Sequence, residues 1–421
     1  MKITLLLLGI QPNLSRKENK NTLKINFLQT SFFILIISNL SNVVQYLSQL
    51  VLGRYLSVAD FGIYNSIQSL SLSVVAFLAI IPFIVTKYMI NFQDETNYRD
   101  LLISKLFGYL VIINIFLCVF LFLLSHQIGI FLKIDDNTPI YIFITSIFFT
   151  VIYTFFDSML KGLKLYIVSS LQGALLSVLR FSFILLFVLY MHKSYNGALF
   201  ANVIATIIII LLIYIINVKD ILHINYNYEI KKIQSIVYIN MLKYSIPVGI
   251  TWIILVFITF SDVIFVKHYF DDYHTGIYSS ASVIAKIGFF LSSVLMSAFF
   301  PEVINNNKIE KSSIPLLTFM LGITLLICGS YVLVVFFFKE FLITLLFGGR
   351  YLLAGEYLTR ITIFMSIVGM ITVLFNFLLA KEIYYYLYVS MIVMVLGTLS
   401  FFFVKMNTPN DVLNIFLYLS T

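Results

Sequence analysis

The sequence predicts an all-α polytopic membrane protein. It has about 12 transmembrane helices in two six-helix lobes related by a parallel repeat, and the last helix is short. Three observations carry this. The 421-residue chain is 61% hydrophobic and only 11% charged, whereas soluble domains carry roughly 25% charged residues. Apolar runs of about 20 residues, the length that crosses a bilayer, recur along the whole chain. One segment occurs twice, as LGRYLSVADFGIY at Leu52–Tyr64 and VKHYFDDYHTGIY at Val266–Tyr278, aligned without a gap at an offset of 214 residues. Tyr55 then falls on Tyr269, Gly62 on Gly276, Ile63 on Ile277 and Tyr64 on Tyr278.

The apolar runs lie at 27–52, 61–90, 106–131, 139–160, 167–190, 196–217, 241–266, 276–300, 315–338, 352–380, 384–404 and 409–421. Lipid gives free backbone groups no partners, so such runs must be helices. Residues 1–24 read as a cytoplasmic basic tail carrying Arg16, Lys17, Lys20 and Lys24. The apolar stretch Ile3–Ile10 is too short for a signal peptide, and no small-residue cleavage site follows it. Residues 25–217 form the first lobe, 218–240 a cytoplasmic linker and 241–421 the second lobe. The last run has about 13 residues, short of the ~20 needed to cross, so either that helix is a partial span or the chain is truncated.

Charge sets the orientation. With the N-terminus inside, 17 of the 27 Lys and Arg residues face the cytoplasm, 8 face outward, and Arg180 and Lys286 lie within spans. This asymmetry favours a cytoplasmic N-terminus, and the expected location is the cell (inner) membrane. Six spans per half means that both halves enter from the same side, which is a parallel repeat about an axis along the membrane normal. Both copies of the repeated segment then form the outward turn between the first and second spans of their half. The net charge of +8 reports topology and contact with anionic lipid rather than nucleic-acid binding.

Several classes are excluded. Cys118 and Cys328 both lie in apolar runs and suggest neither a disulfide framework nor a metal site. There is no Walker motif and no His/Cys/Asp cluster at metal-ligand spacing. No cofactor is implied, and the chain reads as a transporter rather than an enzyme.

The ordered motifs resemble a known family. LVLGRYLSVADFGIYNSIQSL at 50–70 is similar to the first-hairpin signature of polysaccharide and O-antigen flippases, a branch of the multidrug/oligosaccharidyl-lipid/polysaccharide exporter superfamily. KYSIPVGI at 243–250 resembles the start of the family's seventh helix. SDVIFVKHYF at 261–270, TGIYSSASVIAKI at 275–287 and FFPEV at 299–303 resemble the following hairpin and its end. LFGGRYLLAGEYL at 346–358 resembles the turn before the tenth helix. The resemblance implies two six-helix bundles around a cavity lined largely by the first, second, seventh and eighth helices. It also implies a substrate, an oligosaccharide on a polyprenyl diphosphate, flipped between leaflets for cell-surface polysaccharides such as lipopolysaccharide.

Such a substrate needs a wet cavity, cations and gates. The first span carries Asn42, Gln45 and Gln49 on one helical face, with Ser38 a turn before, and the second adds Asn65, Gln68 and Ser69. These amides serve either as inter-helix hydrogen bonds or as a cavity wall that meets sugars. Lys286 lies inside the eighth span, where a charge costs about 2.5–3.5 kcal/mol on insertion scales. Counting down both helices from the outer turn near 271–274 puts Asp262 at the same depth. The two read as a structural salt bridge, as a protonation or cation site, or as a diphosphate contact through Lys286. Arg180, near the middle of the fifth span, shares a face with Gly173 and Ser177 and has no obvious local partner. Arg54 closes the first span, as a snorkelling residue or a third diphosphate contact. Pro247 and Gly249 read as a kink in the seventh helix, a candidate gate.

The leading expectation is therefore a lipid-linked oligosaccharide flippase working by alternating access, with Lys286, Arg180 and Arg54 on the diphosphate. The lipid bilayer, a coupling ion, and a polysaccharide polymerase or other assembly proteins are its expected partners. The alternative is a cation-coupled multidrug or metabolite antiporter of the same superfamily. It would place acids in the cavity of the first lobe, yet the first three spans contain none. A membrane-embedded glycan polymerase or ligase ranks lower, because the outer loops are too short to carry catalytic groups.

Overall fold

A computed structural model of the chain describes residues 20–78, 80–92, 96–218, 235–308 and 313–420. Among these residues there are helices and turns but no strand. The first half comprises α1 (Lys20–Tyr55), α2 (Val58–Ala76), α3 (Ile80–Asn91), α4 (Thr96–Leu123), α5 (Ser125–Phe131), α6 (Thr138–Gly162), α7 (Tyr166–Ile184) and α8 (Tyr195–Ile213). Short π-helical ends, Leu185–Tyr190 and Tyr214–Val218, continue α7 and α8. The second half comprises α9 (Ser235–Tyr269), α10 (Asp272–Lys308), α11 (Ile314–Leu346), a 3₁₀ turn (Gly349–Ala354), α12 (Gly355–Ala380), α13 (Tyr385–Phe403) and α14 (Pro409–Ser420).

Each expected apolar run coincides with one helix or a broken pair. Eight helices among the described residues are long and apolar enough to cross a membrane, or nine if α2 and α3 count as one bent span. That bend is 44°. Pro82 stands in the first turn of α3, where it lacks an N–H and its ring collides with the carbonyl four residues back. The break thus falls in the second span. The seventh, α9, runs through Pro247 unbroken. α1 begins at Lys20, so Lys20 and Lys24 are helical rather than tail. Residues 1–19 and most of the expected linker lie outside the described residues.

Local chemistry sets the helix ends. Ser57 caps α2 by accepting the Asp60 amide at 3.0 Å, and Asp60 complements the positive end of the helix. Pro139 and Pro315 open α6 and α11, where a missing N–H costs nothing. α11 ends on Gly348, whose φ of 94° lets its amide reach back to the Ile343 carbonyl at 3.1 Å.

α6 is the centre of the first lobe, packed against α2, α3, α4 and α8. α12 is the centre of the second, packed against α9, α10, α11 and α14. The short α14 is a full part of this core: Val412, Leu413 and Phe416 are buried, and Phe416 meets the rings of Phe257, Phe265, Phe364 and Phe401. The lobes join mainly where α2 lies on α9 and α10, and α3 on α9.

Candidate functional site

The two copies of the repeated segment meet. Gly62 and Gly276 stand together between α2 and α10. A Cβ on Gly62 would sit 2.5 Å from the Asp272 carbonyl oxygen, and one on Gly276 would sit 1.9 Å from the Val58 carbonyl oxygen. Val58 and Asp272 are themselves one offset apart, so the two contacts are equivalent and lie about the axis that relates the lobes. We call this the hairpin end of the bundle. Phe61 packs there on Phe347 and Tyr351 of the other lobe, with centroids at 5.6 and 5.9 Å.

Charged side chains close the same end by capping helices across the lobes. Arg54, in the last turn of α1, donates from Nε to the Leu346 carbonyl at 3.1 Å and from Nη2 to that of Leu345. Arg350 donates back from Nη2 to the Gly53 carbonyl at 2.7 Å and to that of Arg54. These carbonyls have no partner within their own helices and sit at the negative ends of the helix dipoles. The arrangement recurs under the 214-residue offset: His268, the counterpart of Arg54, donates from Nδ1 to the carbonyl of Phe131, the counterpart of Leu345, at 2.8 Å. Lys133 Nζ reaches the Tyr269 carbonyl at 2.8 Å. The fully buried Lys267 pairs with Asp272 and reaches the Lys133 carbonyl at 3.3 Å. Arg54 is therefore engaged in helix capping, and the structure does not bring it together with Arg180 or Lys286.

Within the second lobe Asp262 and Lys286 do come together, with Nζ 3.7 Å from Oδ1 and both side chains buried. Tyr278 and Ser282 donate to Asp262 Oδ2 at 3.3 and 3.1 Å. Lys286 also lies 4.6 Å from the centre of the Phe260 ring. The charges cancel locally.

Arg180 is different. Its Nε is buried without a hydrogen-bond partner. The one acid on the facing helix α6, Asp157, is committed to Lys161 at 2.6 Å and to the Ser169 hydroxyl at 2.5 Å. Tyr64 and Tyr153 are the ionisable groups that the Arg180 charge acts on.

The amides split between roles. Ser41 and Gln45 of α1 bond to Ser177 of α7 at 2.7 and 3.3 Å, and Ser41 also reaches the Gly173 carbonyl at 3.3 Å. Gln45 is thus an inter-helix contact. Asn42 is exposed, and Gln49 Oε1 is buried without a partner. Asn65 is buried and donates to its own helix at Phe61, while Gln68 is half-buried. α1 carries a second exposed stripe, Ile36, Leu40, Val43 and Leu47. At helical spacing that stripe lies on the side opposite Asn42, Gln45 and Gln49, so the apolar face meets lipid and the amide face turns inward. Gly249 lets α9 approach α3, since its Cβ would lie 3.2 Å from that of Ile80. Thr251 donates to the Pro247 carbonyl at 2.8 Å. Among the described residues no group of His, Cys, Asp and Glu could hold a metal ion.

Sequence reasoning missed Tyr64, Tyr153, Tyr278 and Arg350. Tyr64 and Tyr278 carried a signal, being equivalent in the repeat; Tyr278 donates to Asp262 and Tyr64 lies within electrostatic range of Arg180.

A family profile described as polysaccharide biosynthesis protein matches residues 27–304. No match was found among curated proteins. Among solved structures, the lipid II flippase MurJ in an inward closed conformation is 15% identical, with 92% of this chain and 85% of that chain covered and a TM-score of 0.71. A multidrug resistance MATE family transporter of the MOP superfamily is 12% identical in its inward-facing conformation, with 92% and 90% covered and a TM-score of 0.68. An outward-facing conformation of such a transporter is 13% identical, with 92% and 91% covered and a TM-score of 0.61. The shared fold is the two-lobed helical bundle described above, and with more than half of its length matched by the family profile, the chain belongs to the polysaccharide biosynthesis protein family.

Proposed function

We propose that this protein flips an oligosaccharide carried on a polyprenyl diphosphate from the inner to the outer leaflet of the cell membrane, by alternating access between its two lobes. The observation that carries the reading is Arg180, a half-buried cation in an apolar helix whose Nε is buried without a hydrogen-bond partner and which pairs with no carboxylate among the described residues. A charge within a membrane span is costly unless something pairs with it, and an anionic substrate supplies that partner. Membership of a polysaccharide biosynthesis family favours a glycan cargo. The inward-turned amide face of α1 would meet its sugars, Asn42 foremost, with Asn65 and Gln68 on the next helix.

The hairpin end is the outer gate in this reading, and the molecule rests open to the cytoplasm. The reciprocal caps and the Gly62–Gly276 contact hold that end shut. α1 is the movable wall of the opposite end, since among the helices it packs mainly on α7 of its own lobe.

The test is a vesicle assay with the full chain and a fluorescent, short-prenyl diphosphate-linked oligosaccharide. Protein-dependent movement between leaflets is expected, and none would overturn the reading. A second reading is favoured by one observation: Asp262 is a fully buried acid whose Oδ1 lacks a hydrogen bond. Such a carboxylate suits a proton- or cation-coupled antiporter. It predicts dye efflux driven by an imposed Na⁺ or H⁺ gradient, with no movement of the lipid-linked glycan.

A further inference from the structure

Three cations were candidates for the diphosphate, and their surroundings differ. Arg54 is spent on the carbonyls of α11. Lys286 has Asp262 at 3.7 Å, and a buried pair resists losing a partner. Arg180 alone has a charge with nothing opposite it among the described residues.

The register of α1 on α7 says what surrounds it. Ser41 bonds to Gly173 and Ser177, and Gln45 to Ser177. One or two turns further on along both helices, Gln49 comes level with Arg180. Both carry a buried polar atom with no partner, Oε1 of Gln49 and Nε of Arg180. Tyr153 approaches from α6, its hydroxyl 3.9 Å from where a Cβ on Gly173 would be, two turns from Arg180 on the same face. Tyr64, buried on α2, lies like Tyr153 within electrostatic range of Arg180. Arg180 supplies donors in a fixed fork, the two phenols supply O–H donors, and the Gln49 amide can turn its NH₂ inward. That donor set matches an oxyanion with several oxygens.

We infer that the first lobe alone holds an oxyanion site, made of Arg180, Gln49, Tyr64 and Tyr153, and that it takes the diphosphate of the substrate while Lys286 stays paired with Asp262. The inference rests on the flippase reading and narrows it. The anion is carried by one lobe through the cycle, and the second lobe moves against it. Gln49 leaves the sugar wall and joins the anion site.

The test measures binding of geranylgeranyl diphosphate to the full chain in phosphatidylcholine nanodiscs. Inorganic pyrophosphate is the competitor in one arm, and phosphatidylglycerol is added to the disc in another. Wild type is expected to bind, with pyrophosphate competing and phosphatidylglycerol without effect. Arg180→Gln should weaken binding about tenfold or more, while Tyr64→Phe and Tyr153→Phe each weaken it about threefold. Lys286→Gln paired with Asp262→Asn should bind like wild type. Should Arg180→Gln fail to fold, Arg180→Lys and the two phenylalanine variants, checked by melting temperature, carry the comparison. Wild-type affinity in both phenylalanine variants, a loss in the Lys286/Asp262 variant as large as in Arg180→Gln, no binding at all, or displacement by phosphatidylglycerol would each overturn the site. Leaflet transport is scored separately: intact transport with the wrong binding pattern removes only this inference, whereas intact binding without transport removes the flippase reading.

Discussion

Gly62 and Gly276 occupy equivalent positions in the repeat and stand together across the lobes, and the backbone of the facing helix fills the space where each one's Cβ would be. A Cβ on Gly276 would lie 1.9 Å from the Val58 carbonyl oxygen, and that neighbour is backbone, which cannot swing aside. Gly276→Ala must therefore push α2 away from α10. Forced overpacking costs about 1–3 kcal/mol, and here the relief is to part the lobes at the hairpin end. A cysteine placed at Tyr55, exposed at that end, should label several-fold faster in Gly276→Ala than in wild type. Equal labelling rates would show that the lobes do not part there.

Arg54 and Arg350 each cap the helix that bears or precedes the other. Hydrogen bonds of this kind contribute about 0.5–1.5 kcal/mol each, and Arg54 is largely exposed, which favours the low end. Arg54→Ala and Arg350→Ala should each raise labelling at the hairpin end, and together they should raise it further. Arg54→Lys should recover only part of the effect, because an ammonium is not the planar fork that spans two successive carbonyls. Full recovery by Lys would show that charge alone matters.

Asp262 and Lys286 form a buried pair, so the number of partners removed matters more than the charge lost. Asp262→Asn strands Lys286 in the core and should cost about 3–5 kcal/mol. The double change Asp262→Asn, Lys286→Gln should cost markedly less than the sum of the two single changes. Melting of the purified variants in detergent decides it, and simple additivity would show that the two side chains act independently.

This pair was legible in the sequence because two helices joined by a short turn share depth, and counting from the turn locates both residues. The runs, the duplication and the hairpin positions were legible for the same reason: they depend on neighbours along the chain. What escaped depends on helices far apart in sequence. Nothing local to Arg54 reveals that α11 ends beside it, and nothing local to Gln45 reveals Ser177. The broken second span is a different case. Pro82 was present, but its run is apolar on both sides, and continuity of hydropathy hid the break that Pro247 was expected to make.

Asp136 precedes α6 and accepts the Thr138 amide at 2.9 Å and its hydroxyl at 2.7 Å. Those bonds hold its carboxyl below the usual carboxylate range. Its folded pKa lies below its unfolded value, so the stabilisation is present above about pH 4 and is lost as pH falls through the lowered value. Asp136→Ala should melt slightly below wild type at pH 7, and the gap should close toward pH 3. A gap that persists at pH 3 would mean that the carboxylate charge is not its source.

Asn42 and Gln45 sit one turn apart on the inward face of α1, yet they should fail differently when truncated. Gln45 bonds to Ser177 and helps to hold α1 on α7. Gln45→Ala should therefore lower stability by about 0.6 kcal/mol, the mean for a hydrogen bond between membrane helices, and change glycan transport little. Asn42 is exposed, and its amide faces the side opposite the lipid stripe. Asn42→Ala should leave the melting temperature unchanged and slow transport of the lipid-linked glycan several-fold, while binding of geranylgeranyl diphosphate, which has no sugar, stays intact. That contrast separates a sugar-facing wall from a packing surface. If Asn42→Ala lowers melting and leaves transport untouched, the amide face of α1 serves helix association alone, and the sugars are met elsewhere.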